Sequence, residues 1–122
     1  MVDKANANKA HTNASNVQFI ESAITSIPLP DNTADCIISN CVINLVPGAE
    51  KQLAFNEMFR LLKPGGRVAI SDILARKEFT EEMKKSIALY VGCIAGASQV
   101  SDYEAFLKNA GFNGKPNRPI RV

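Results

Sequence analysis

Between Ala34 and Ile73 the apolar residues change their spacing twice, and that change limits the fold more than any other feature of the chain. "ADCIIS", Ala34 to Ser39, sets two branched apolar side chains next to each other at Ile37 and Ile38, the pattern of a strand buried on both faces of a parallel sheet. Pro47-Gly48 breaks the chain, and from Glu50 to Leu62 the residues Ala54, Phe55, Met58, Phe59 and Leu62 recur at helical spacing. "KPGG", Lys63 to Gly66, stops that helix, because proline cannot continue it and glycine tolerates the turn. "RVAISDI", Arg67 to Ile73, then reads as a strand. Strand, helix and strand in this order imply an α/β fold with a mostly parallel sheet and helices packed on it.

The flanking segments extend the alternation. Residues 3 to 11, "DKANANKAH", read as a short polar helix, and "NVQFIE", Asn16 to Glu21, as a strand. Pro28, Pro30, Asp31 and Asn32 form a turn. "TEEMKKSIALYVGCI" reads as a helix with Thr80 at its N-cap and Glu81-Glu82 in the first turn, where the helix dipole favours acids. Ser101 to Ala110 is a further helix, with Ser101 and Glu104 spaced as a capping box and Gly111 closing it. Two prolines break the tail, and an edge strand is expected at Ile120 to Val122.

At 122 residues, one domain covering residues 1–122 is expected. Charged residues make up 21% of the chain and the formal net charge is only +2, so there is no basic patch and no nucleic acid partner is expected. No run approaches the roughly 20 apolar residues that span a bilayer, so no membrane partner is expected. "MVDKANANKAHTNA" lacks the apolar centre of a secretory leader, which points to a cytoplasmic location. The three cysteines, Cys36, Cys41 and Cys93, cannot all pair within the chain and fit a reducing compartment. With one histidine and no CxxC pair, a metal site is not expected.

"CIISNCVINLVP" poses a question, because the polar step Ser39-Asn40-Cys41 interrupts an apolar run. Buried polar groups are unfavourable unless hydrogen-bonded, so a core strand has no use for it. In open parallel sheets, however, ligands bind beyond the carboxyl ends of the strands, which is where these three residues fall. The alternative is that Asn40 caps the strand and Cys41 is a small buried hydrophobe.

The order "NVQFIES…IPLPDNTADCIISNCVINLVP…FNEMFRLLKPGGRVAISD" resembles the C-terminal two thirds of class I S-adenosylmethionine-dependent methyltransferases, which have a Rossmann-like fold. "SNCVINLVP" followed by "GCIAGA" resembles the arsenite methyltransferases in particular, over about residues 3 to 112. In that family an SNCVINL segment and a GECLGGA-like segment each carry a cysteine that holds trivalent arsenic. The resemblance implies S-adenosylmethionine as cofactor, trivalent arsenic as small-molecule substrate, and Cys41 and Cys93 as its thiolates. It also implies cofactor contacts at Ser22, Ala23, Ile24, Asn40 and Val42, with Ala23 standing where most other relatives carry an acid. No general base is implied, because the arsenic lone pair that takes the methyl group carries no proton. Cys36 matches no family ligand and is expected in the core. His11 is expected in solvent, Asp72 either in a structural role or facing the substrate, and Gly92 and Gly96 where backbones approach closely.

The chain also departs from the family. The glycine-rich cofactor loop and the acid that binds the ribose hydroxyls are not found, and no GxGxG occurs in the 122 residues. Met1 aligns near the family's second helix, so the expectation is a partial methyltransferase fold without the first two strands, inactive when isolated. Apolar strand edges left open in that way pair with other chains, and a homodimer is expected. Two further readings stay open: a non-catalytic, self-associating α/β domain, and a relative of the quinone-biosynthesis C-methyltransferases. The latter have no chemical use for thiols at Cys41 and Cys93.

Overall fold

A computed structural model describes residues 1–88 and 92–114. Its centre is a parallel pair of strands, β1 (Ala34–Asn40) and β2 (Leu62–Ser71), joined through helix α2 (Lys51–Leu61). The register runs from Cys36 opposite Arg67 to Asn40 opposite Ser71, with an irregularity between Ala34 and Cys36. "KPGG" does not form a turn before the strand: α2 ends at Leu61 and β2 runs Leu62–Ser71, starting five residues before the expected Arg67, with "KPGG" inside it and Gly65 at φ +81°, a conformation that side chains with a Cβ rarely adopt.

Helix α1 (Val2–Thr12) precedes the sheet, and α3 (Glu81–Ala88), α4 (Gly92–Ala95) and α5 (Val100–Ala110) follow it. The expected N-cap of α3 is present, with the Met83 amide donating to Thr80 Oγ1 at 3.3 Å. Helix α5 starts earlier than the Ser101–Glu104 spacing implies. The Ala75 amide bonds to the Ser98 carbonyl and Ala75 bridges Gln99, so the chain is already anchored there and Gln99 becomes the N-cap. Its amide donates to Asp102 Oδ2 at 2.9 Å, completing a capping box of its own. Gly111 closes α5 at φ +110°, as expected.

The core lies between one face of the strands and the helices α2 and α5. Ile43, Phe55, Met58 and Tyr103 are buried together, with Ile37, Val68, Ile70 and Phe106 packed against them. The Phe55 ring meets Tyr103 edge-on at 5.4 Å and stacks on Phe106 at 5.5 Å, contacts that add to the area these rings bury.

Three further expectations fail. Asn16 to Glu21 forms no strand among the described residues, and Val17, Phe19 and Ile20 are exposed; strand-forming side chains do not make a strand without a partner backbone. The sheet is not covered on both faces: Ile38 is 81% exposed and Cys36 is exposed, because along β1 and β2 only alternate residues meet a helix. Cys36 is therefore a surface thiol and not a core residue. The edge strand expected at Ile120 to Val122 falls outside the described residues.

Candidate active site

The two strands are parallel, so their carboxyl ends share one side of the sheet, and "SNCVINL" leaves β1 there. The Cys41 amide reaches across to the Ser71 carbonyl at 2.9 Å, extending the pairing one residue beyond β1. Cys41 itself takes φ +54°, a left-handed conformation that turns the chain away from the sheet and leaves the residue exposed. Val42 follows, 42% exposed, and the chain then winds into a single 3-10 turn, Ile43–Leu45. Ile43 fills the core while Asn44, also buried, donates from Nδ2 to the Ile73 carbonyl at 2.7 Å. Past the polar step, Asn44 ties the turn to the chain that follows β2, while Asn40 and Cys41 face outward at the strand's end.

Cys93 comes to the same place from α4, which packs on the 3-10 turn. Its half-buried thiol lies 3.8 Å from the Cys41 carbonyl oxygen, within reach of a weak S–H···O bond. Residues 52 positions apart are brought together at the carboxyl ends of the strands. Gly96, expected at a close approach, is at one: a Cβ there would overlap the Asn44 carbonyl. Gly92 begins α4.

Two groups that sequence reasoning did not single out, Lys51 and Tyr103, complete the surroundings together with Asp72. Lys51, only 4% exposed at the start of α2, donates from Nζ to the Gly96 carbonyl and to Ser98 Oγ at 2.9 Å. Burial pulls its pKa below the usual lysine range, against the opposing pull of the Asp72 and Asp102 carboxylates. A signal for it existed, since Lys51 shares the buried stripe of α2 with Ala54, Phe55 and Met58. Tyr103 donates its hydroxyl to Asp72 Oδ2 at 2.6 Å, and burial first, then that bond, holds its phenol well above the ordinary range. Asp72 is thus tied to the core, while its Oδ1, Ser39 Oγ and Asn44 Oδ1 are buried with no partner among the described residues.

The other expected cofactor residues lie on a separate loop. Ser22 and Ala23 are exposed, Ile24 packs against the core, and the Ser26 amide closes a turn on the Ala23 carbonyl at 3.1 Å. From α2, Glu57 Oε1 accepts the Ile27 amide at 2.7 Å, and Arg60 donates to the Ile27 and Leu29 carbonyls and to Asp31. The Arg60 bond holds the Glu57 carboxyl below its usual pKa, so this clamp stays charged at neutral pH. His11 is exposed in the last turn of α1, and no group of three or more His, Cys, Asp or Glu side chains among the described residues is placed to hold a metal ion.

Residues 1–111 match the family model of a methyltransferase domain. The chain belongs to the methyltransferase domain family. Over 112 residues it is 44% identical to the arsenite methyltransferase of Halobacterium salinarum, a match covering 92% of this chain and 28% of that protein. It is 39% identical over 94 residues to the arsenite methyltransferase of Aquipseudomonas alcaligenes, covering 77% of this chain and 26% of the relative. Among solved structures, an arsenic(III) S-adenosylmethionine methyltransferase from Chlamydomonas reinhardtii superposes with a TM-score of 0.74 at 33% identity, over 82% of this chain and 34% of that one. This methyltransferase domain chain therefore spans little more than a quarter of the length of the curated relatives it matches. The cofactor of the family is S-adenosylmethionine, and no helix among the described residues is long and apolar enough to cross a membrane.

Proposed function

We propose that this chain provides the substrate-holding part of an S-adenosylmethionine-dependent methyl transfer to trivalent arsenic, with Cys41 and Cys93 as the thiolates. The observation that carries the reading is the approach of the Cys93 thiol to the Cys41 carbonyl at the carboxyl ends of β1 and β2. Trivalent arsenic is soft and takes soft thiolate ligands. As arsenous acid it loses one hydroxide for each thiol bound; the thiol protons leave with the hydroxides as two waters, and no separate base is needed. What the chain contributes is proximity: the second thiol meets an arsenic already held by the first.

Asn40 and Val42 fit one side of the cofactor, the first with an exposed amide and the second with an exposed apolar side chain beside Cys41. Ser22, Ala23 and Ile24 would add backbone groups from the loop that Glu57 and Arg60 hold. When bound, the cofactor supplies an electrophilic methyl group. With no GxGxG in its sequence, the 122-residue chain on its own is expected to hold substrate without turnover. A second copy is the proposed partner, laid against the uncovered sheet face where Ile38 and Cys36 stand exposed, in a cytoplasmic, reducing setting that keeps the thiols free.

The test is calorimetric titration of the reduced chain with S-adenosylmethionine and with arsenite, in the wild type and in Cys41→Ser and Cys93→Ser. Each serine variant should bind arsenite about a hundredfold or more weaker, as a chelate reduced to a single thiol. Wild-type affinity in either variant would sink the reading.

A further inference from the structure

We infer that Lys51 is a positioning residue for the two-thiol site: its buried ammonium holds the 96–98 stretch and so sets how far Cys93 stands from Cys41. The inference deepens the arsenic reading above and rests on it for its functional meaning, though not for its geometry.

A four-residue helix cannot hold its own place, since isolated helices of that length are not stable in water. Helix α4, which carries Cys93, has four residues among those described, and packing against its neighbours places it. Helix α3 packs against α4, and two further neighbours fix the segment that follows Cys93. On one side Gly96 lies against the Asn44 backbone so closely that no side chain fits between them, and Asn44 is itself fixed by its bond to the Ile73 carbonyl. On the other side Lys51 spans from the first residue of α2 to the Gly96 carbonyl and the Ser98 hydroxyl.

A lysine is almost never fully buried unless paired, because desolvating the ammonium is costly. Here the charge faces Asp72 and Asp102, and its protons go to oxygens of the segment that follows Cys93. Charge-assisted bonds of this kind are about twice as strong as neutral ones, which suits a single side chain fastening a short helix. Lys51 belongs to α2, whose far end holds the loop carrying Ser22, Ala23 and Ile24 through Glu57 and Arg60. One rigid helix is therefore the common frame for both halves of the candidate site.

The test uses the 122-residue chain in a Cys36→Ser background and reads the rate at which a diazene dicarboxamide oxidises Cys41 and Cys93 to an intramolecular disulfide. The two thiol hydrogens pass to the diazene, which becomes the hydrazine, so neither arsenic nor cofactor is involved. Lys51→Met keeps the apolar stem and removes the donors; its cross-linking should slow by about tenfold as the effective concentration of one thiol at the other falls. The rate at which either thiol reacts with a monofunctional alkylating reagent should stay unchanged. Lys51→Arg restores charge and donors and should recover most of the cross-linking rate. Ser98→Ala, which removes one acceptor and leaves the ammonium paired to Gly96, should slow it about threefold, and it decides the matter if Lys51→Met does not fold. A folded Lys51→Met or a Ser98→Ala that cross-links at the wild-type rate, or a Lys51→Arg as slow as the methionine variant, overturns the inference. If the wild type fails to bind arsenite, the arsenic reading alone is overturned, since the cross-linking rate still decides the role of Lys51.

Discussion

The two faces of the sheet are built from the same two strands and differ in what lies on them. On one, Ile37, Val68 and Ile70 meet Phe55, Met58 and Tyr103, and the core is continuous with α2 and α5. On the other, Cys36, Ile38 and Asn40 stand beside Arg67, Ala69 and Ser71, every one exposed. Helix α1 buries none of its own residues and does not close that face. A branched apolar residue therefore reports that a strand forms, not that its face is covered. Both chemical halves of the candidate site hang from the helix on the covered face, Cys93 through Lys51 and the 27–31 loop through Glu57 and Arg60.

Substitutions that strike the two faces separately should break or sharpen this contrast. The largest effect is expected from Phe55→Ala, which empties the centre of the covered side and should lower unfolding stability in urea by about 3–5 kcal/mol. Next is Tyr103→Phe, which strips the Asp72 carboxylate of its buried donor; a loss of about 1.5–3 kcal/mol is expected in the same measurement. The smallest stability change belongs to Ile38→Lys on the open face, within about 0.5 kcal/mol, because no packing is lost there. Its effect should show in sedimentation instead, as a shift from associated to monomeric chain. A wild type that sediments as a monomer at every concentration would refute the proposed self-association, and an Ile38→Lys as destabilised as Phe55→Ala would refute the contrast between the faces.

What could be read from the sequence was what depends on near neighbours. The Ile37-Ile38 pair, the helical spacing from Ala54 to Met58 and the stop at "KPGG" each carry their own local physics, and β1, α2 and β2 follow from them. Asn16 to Glu21 carries a comparable signal and makes no strand, because pairing needs a second backbone and no pattern within a segment supplies one. Cys36 was misplaced for a related reason: which face a helix covers is settled far along the chain. The meeting of Cys41 and Cys93 came from a family resemblance, and spacing alone would not have found it. Lys51 was overlooked although its place on an apolar stripe marks it, since a charged residue there must find partners that only the folded chain reveals. The N-cap of α5 lies at Gln99 rather than the expected Ser101 because tertiary anchoring at Ala75 prevailed over a good local cap.

The left-handed backbone at Cys41 bears on how this sequence would drift over generations. Asn13 and Asn32 share that conformation, but asparagine tolerates it, whereas an ordinary side chain is disfavoured there by roughly 1–2 kcal/mol. Glycine or asparagine at position 41 would relieve the strain and make the domain more robust. A lineage that no longer used the thiol would meet such replacements as improvements and keep them. Holding a cysteine there costs the domain stability, a cost that the proposed thiolate role would offset.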